Sequence, residues 1–336
     1  MLNLQFGSFH KSTVKAADLT ARKALPFIRY DGYMDPLSHQ SLKDGSIPLA
    51  QYLTKTDCLS AVPQLQGSAA ALETLLDLPG ELAACTERVA TEDGKVFCTS
   101  LLEALWEAEQ IGECIEDFDA TNIYIRGRKV VLYMVKRIDL QPAQLIRNYK
   151  SAKKIIEDAF LHDGPIPEDI QHLLDMIESE HDKRSLFRIH ASLWTLSNRG
   201  GMYMRMHEQL KRLPVAVKQA ILRVMGQLKY IATWRSDVQT NVLLNAIYTH
   251  KAGIYAVPAI VVQPLAVQLK EGTLFTDYLR NRVAHRMDKY GLYRLPFSAQ
   301  GTELVALIRW PLALPTLQYE LHKVRLLNDL NIGELY

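Results

Sequence analysis

The chain has 336 residues, of which 48% are hydrophobic and 23% charged, with a formal net charge of +2. That composition is that of a soluble globular protein and excludes a low-complexity or disordered chain. No apolar run reaches the ~18–20 uncharged residues a membrane-spanning helix needs, and the N-terminal segment lacks a secretory apolar stretch. The four cysteines (Cys58, Cys85, Cys98, Cys114) form no CxxC pair, so reduced thiols in a cytoplasmic protein are expected, with the nucleus as the other compartment and no disulfide frame or zinc site.

The small net charge hides an uneven distribution. Residues 73–119 hold 13 acidic and 2 basic side chains, and residues 157–182 hold 9 acidic and none basic. Residues 183–294 hold 18 basic and 5 acidic. A block of that size can supply the electrostatic part of nucleic-acid binding; a solvated basic face is the other reading.

In chain order, Asp31-Gly32 and Asp44-Gly45 mark turns in a mixed opening stretch. Helices are predicted over 68–90 and 99–112, where SLLEALWEAEQI carries apolar residues at helical spacing. Two β-rich runs, Asn122–Ile125 and Lys129–Val135, flank Arg126-Gly127-Arg128 and predict a hairpin. From about 143 the pattern is helical. Pro167, followed by Glu168 and Asp169, is a helix start. Further helices are predicted over 198–212, 214–232, 237–248, 272–287 and 302–308, interrupted by Pro258, Pro264, Pro296, Pro311 and Pro315.

The run LLEALWEAEQIGECIEDFDATNIYI resembles the catalytic-loop region of protein kinases, with Asp117 at the place of the catalytic aspartate and Asn122 at that of the metal-binding asparagine. PEDIQHLLDMIESEHDKR is similar to the late helix of the kinase C-lobe. The parts that phosphoryl transfer requires are missing: there is no G-x-G-x-x-G, no V-A-I-K and no Asp-Phe-Gly after the hairpin, and Ile115-Glu116 replaces His-Arg. The resemblance therefore implies a degenerate, non-catalytic kinase fold that needs no cofactor; ATP is not an expected ligand. Glu116, Asp117 and Asp119 are a weak metal-ligand cluster, set against a solvated or hydrogen-bonded loop.

Beyond it, IHASLWTLSNRGG resembles the junction between kinase and KEN ribonuclease domains in the unfolded-protein-response sensors and RNase L, with His190 and Trp194 matching and Ala191 in place of proline. LFTDYLRNRVAHRMDKY resembles the KEN signature, Arg-Asn followed by a histidine, here Arg280, Asn281 and His285. LIRWPLALPTLQY resembles the closing element, with Arg309, Trp310, Pro311 and Tyr319. The family's tyrosine has no counterpart in the interval just before the arginine; Tyr255 and Tyr248 are the nearest.

These residue types suit RNA cleavage on their own chemistry. RNA supplies the nucleophile, its 2′-hydroxyl, so the protein has only to move protons and hold charge. Histidine transfers protons near neutral pH, while a guanidinium and a carboxamide donate hydrogen bonds to phosphate oxygens. Arg282, Arg286 and Lys289 are candidate RNA contacts. The competing reading makes Arg280, Arg282, Arg286 and Lys289 a solvated helix face with His285 on it.

The expectation is thus a mostly helical α+β chain: a degenerate kinase-like domain over 1–192 and an all-α KEN-type domain over 193–336. The resemblance implies a metal-independent endoribonuclease acting on single-stranded or stem-loop RNA, paired as a homodimer or heterodimer through the KEN domain, with no membrane partner. Two other functions fit: an inactive RNA-binding or regulatory module, or a structural RNA-coating scaffold.

Overall fold

The computed structural model describes residues 45–61, 88–250, 255, 264–285 and 299–327. Among them, every strand lies between Ser46 and Asp139, and the chain is mostly helical. The opening pieces are strand β1 (Ser46–Pro48), helix α1 (Leu49–Leu53), and strands β2 (Leu59–Ala61) and β3 (Arg88–Ala90), which pair antiparallel. The expected helix over 68–90 lies largely outside the described residues, and its last three form β3.

Helix α2 (Glu92–Gln110) starts where the sequence offers a full N-terminal signal. The Thr91 side chain accepts from the Gly94 amide at 2.9 Å, and Glu92 and Asp93 fill the first turn. Its buried side carries Phe97, Leu101, Leu102 and Leu105 against the sheet. Strand β4 (Glu113–Ile115) follows, then a 3-10 turn (Ala120–Asn122), strands β5 (Ile123–Arg126) and β6 (Lys129–Leu132), and strand β7 (Arg137–Asp139). The predicted hairpin is present as β5–β6, in register Arg126↔Lys129, with β1 pairing on the outer edge of β5. Its two-residue turn places Gly127 at φ +62°, a conformation glycine adopts without steric cost. The strands are shorter than expected: Asn122 belongs to the 3-10 turn, and the second strand stops at Leu132, two residues before Met134 at φ +55°.

Helices α3 (Pro142–Leu161), α4 (Glu168–Ser179) and α5 (Arg184–Phe187) complete the first half. A 3-10 turn (Ala191–Leu193) leads into α6 (Leu196–Arg212), α7 (Val215–Met225), α8 (Trp234–Thr240), α9 (Val242–His250), α10 (Pro264–Ala284), α11 (Ala299–Arg309) and α12 (Ala313–Lys323). Two prolines predicted to interrupt helices do the reverse. Pro264 opens α10 and Pro315 lies in the first turn of α12, where a missing N–H costs nothing. The single predicted helix over 214–232 breaks after Met225 and resumes as a short 3-10 turn (Lys229–Ala232).

The cause of that break is a helix crossing. Helices α7 and α10 approach so closely at Gly226 and Gly272 that a Cβ on Gly272 would sit 1.8 Å from the Leu222 carbonyl oxygen, and one on Gly226 would sit 2.0 Å from that of Gln268. This contact anchors α10 along its first half and fixes the direction in which its last turn points.

The junction is stitched from both sides. The Gln318 side chain on α12 accepts from the Ala191 amide (2.7 Å) and donates to the Ile189 carbonyl (2.7 Å), which also accepts from the Trp194 indole (3.1 Å). Arg199 on α6 donates to the Ala191 carbonyl at 2.9 Å and stands 3.7 Å from the buried Asp169 of α4. Burial raises the Asp169 carboxyl above its ordinary pKa, while Arg199 and then Lys95 pull it back.

Candidate active site at the end of the long C-terminal helix

The last turn of α10 carries the Arg-Asn-x-x-x-His residues. Arg280 and Asn281 are neighbours, and the His285 amide donates to the Asn281 carbonyl at 2.9 Å, so His285 sits one turn beyond Asn281. All three side chains are half-buried, neither fully solvated nor sealed in the core. The Arg280 guanidinium donates to the Asn281 Oδ1 at 2.9 Å, and its Nε has no partner among the described residues. That Nε is buried, so only the outer end of the guanidinium is placed to meet a ligand.

The other half of the Asn281 amide reaches Tyr255. Its Nδ2 donates to the tyrosine hydroxyl at 2.6 Å. Tyr255 is packed among aromatic rings, stacked on Tyr248 (5.2 Å between centroids) and edge-on to Trp234 (6.1 Å) and Tyr278 (5.7 Å). Arg235 lies over the Trp234 ring at 4.5 Å, pairs with Glu271 on α10 (3.1 Å) and donates to the Tyr255 carbonyl (3.3 Å), tying the tyrosine to the helix. Burial raises the Tyr255 phenol above its ordinary pKa; the Asn281 hydrogen bond opposes this. The phenol is thus a neutral positioning group at pH 7 rather than a ready base.

Arg282, expected to contact RNA, requires correction. It lies on the opposite side of α10, 2% exposed, donating to the Thr302 carbonyl (2.8 Å) and pairing with the equally buried Glu303 (3.0 Å). A guanidinium spent inside the helix packing cannot meet a phosphate. Arg286 and Lys289 lie outside the described residues. The aromatic residues Tyr203, Tyr230, Trp234, Tyr248 and Tyr255 are buried, so they build the core rather than a base-stacking surface; Tyr290 and Tyr293 lie outside the described residues.

The loop from Glu116 to Asn122 is held by its own hydrogen bonds. Asp117 is exposed. The Asn122 side chain accepts from the Asp119 amide (3.0 Å) and donates to the Tyr133 carbonyl (3.2 Å), completing a capping box that commits the amide to the backbone. Glu116 pairs with Lys136 at 3.0 Å, and Asp119 accepts from Thr121. Among the described residues no group of three or more His, Cys, Asp or Glu side chains is placed to hold a metal ion.

The sequence left Tyr255 and Tyr248 open as the nearest tyrosines; of the two, Tyr255 is the one whose hydroxyl meets Asn281, a contact that no periodic signal in the stretch before α10 announces. Sequence reading also passed over His207 and Asp277, whose side chains meet at 3.1 Å beside the site. No helix among the described residues is long and apolar enough to cross a membrane. No protein-family model matches the chain, and neither a curated protein nor a solved structure does.

Proposed function

We propose that the chain is a metal-independent endoribonuclease, in which a KEN-type helical part follows a degenerate kinase-like part and cuts single-stranded or stem-loop RNA by attack of its own 2′-hydroxyl. The observation that carries the reading is the continuous contact Arg280–Asn281–Tyr255 with His285 one turn along the same helix. Arginine and asparagine offer hydrogen-bond donors for the charge that builds on the phosphate in the transition state. Histidine is the group of the set suited to handing a proton to the leaving 5′-oxygen or taking one from the 2′-hydroxyl. Tyr255 holds the carboxamide plane, so that Arg280 is oriented from behind. Pairing of two chains through the helical part belongs to the same proposal.

A labelled RNA hairpin with an unpaired loop, incubated with the purified chain in excess chelator, tests it. Cutting that yields a 2′,3′-cyclic phosphate end, and that is lost in both Arg280→Ala and His285→Ala, is the expected result. Binding without cutting favours the second reading, an inactive RNA-binding or regulatory module. The fully buried Tyr255 and the engagement of both ends of the Asn281 amide favour that reading, since they describe a site closed on itself.

A further inference from the structure

Asp277 stands on α10 three residues before Arg280 and four before Asn281, on the same side of the helix as both. A carboxylate at that spacing is the natural intrahelical partner of an arginine. Paired so, it would neutralise the guanidinium that a phosphate has to find. The structure shows another arrangement. Asp277 Oδ1 lies 3.1 Å from Nε2 of His207 on α6, and the Arg280 guanidinium turns to Asn281 instead.

His207 is built to hold that position. It is 2% exposed and stacks on Tyr203 (6.2 Å between centroids), whose own hydroxyl donates to the Thr276 carbonyl at 2.8 Å. The imidazole plane is therefore fixed by a ring that is itself bonded to the residue beside Asp277. Its Nδ1 is buried with no partner among the described residues, which leaves the bond to Asp277 as the imidazole's one polar attachment there. Asp277 is by contrast half exposed and free to swing along the helix once released.

We infer that His207 is a positioning residue of the proposed ribonuclease site: it draws the Asp277 carboxylate toward α6, so that Arg280 stays unpaired and available to an RNA phosphate. This rests on the ribonuclease reading for its purpose, though not for the contact itself. Removing the imidazole lets Asp277 fall back on Arg280, and RNA loses a charged partner without any change in the residues that touch it.

The test uses the full chain and the same labelled hairpin in chelator. His207→Ala weakens hairpin binding about tenfold, the scale of one lost charge-assisted contact. His207→Gln, which keeps a donor for Asp277, retains the affinity, and the double variant His207→Ala with Asp277→Asn regains it. A double variant as weak as His207→Ala means that packing alone was lost, and overturns the inference, as does unchanged binding by His207→Ala. A second readout needs no RNA. In thermal melts, the coupling between Asp277→Asn and Arg280→Ala is absent in the wild-type background and appears once His207→Ala is introduced; its absence in both backgrounds also overturns the inference. A wild-type chain that neither binds nor cuts the hairpin overturns the ribonuclease reading instead, and the melting cycle then decides the His207 assignment by itself.

Discussion

The Asn281 amide donates to the Tyr255 hydroxyl across 2.6 Å, although 26 positions separate the two residues in the chain. The contact joins the aromatic core of the helical half to the last turn of α10, and it orients the carboxamide on which Arg280 rests. A change in the tyrosine hydroxyl should therefore be felt at the arginine.

Tyr255→Phe isolates that effect, because the phenyl ring keeps the packing against Tyr248, Trp234 and Tyr278. RNA cleavage is expected to fall roughly a hundredfold, the scale of one misplaced group in a charge-stabilising site. Stability should change by only about 1 kcal/mol, the net worth of a hydrogen bond. Cleavage time courses set beside thermal melts check both, and equal cleavage by the two proteins would remove Tyr255 from the site.

Arg282 and Arg280 should behave in opposite ways despite lying two residues apart. Arg282→Ala leaves Glu303 buried without its cation, which costs about 3–5 kcal/mol. Replacing the pair together, Arg282→Met with Glu303→Leu, removes the orphaned charge and should recover most of that loss. Denaturant unfolding measures the stabilities, and RNA affinity per folded molecule should stay at the wild-type value in both.

Gly272→Ala is expected to destabilise by at least about 1–3 kcal/mol, the usual cost of overpacking, because its Cβ would enter the Leu222 carbonyl. Gly201→Ala provides the contrast. Gly201 lies inside α6 with nothing within 4 Å of its would-be Cβ, so the substitution should stabilise by up to about 1 kcal/mol through helix propensity alone. Melting temperatures moving in opposite directions are the predicted result.

At the junction, His172 Nδ1 and His190 Nε2 lie 3.0 Å apart with the rings stacked, and His190 Nδ1 meets the Ser192 hydroxyl at 2.7 Å. Burial holds both histidines below the ordinary value of 6.5; His172 and Arg199 add to this at His190, and Asp175 opposes it at His172. A histidine with a depressed folded pKa contributes stability that is complete above its unfolded value and is lost as pH falls below about 6.5. Melting temperature should therefore drop between pH 7.5 and 5.5. His172→Gln should flatten the drop and so isolate the histidines from Asp169, whose raised pKa acts with the opposite sign.

Several elements were readable because their signals are local. Gly127 between two β-rich runs turns the hairpin, whereas the helix expected over 99–112 begins earlier, at Glu92, behind a Thr91 cap that the apolar spacing did not mark. The Arg-Asn-x-x-x-His spacing does fall on one helix end. Pro264 and Pro315 misled because a proline reads as a break in either direction, and only the neighbouring chain decides whether it ends a helix or begins one.

The sequence by itself determined which chemistry-bearing residues gather at one helix end, since helical spacing makes Arg280 and Asn281 adjacent and puts His285 one turn beyond Asn281 without reference to anything distant. Tertiary structure decided which of the basic residues remain available. The α7–α10 crossing at two glycines sets the rotation of α10 about its axis, and that rotation sends Arg282 inward to Glu303 while leaving Arg280 half-buried beside Asn281. A helix's own period fixes only the angle between its side chains; what each one faces depends on the elements packed around it.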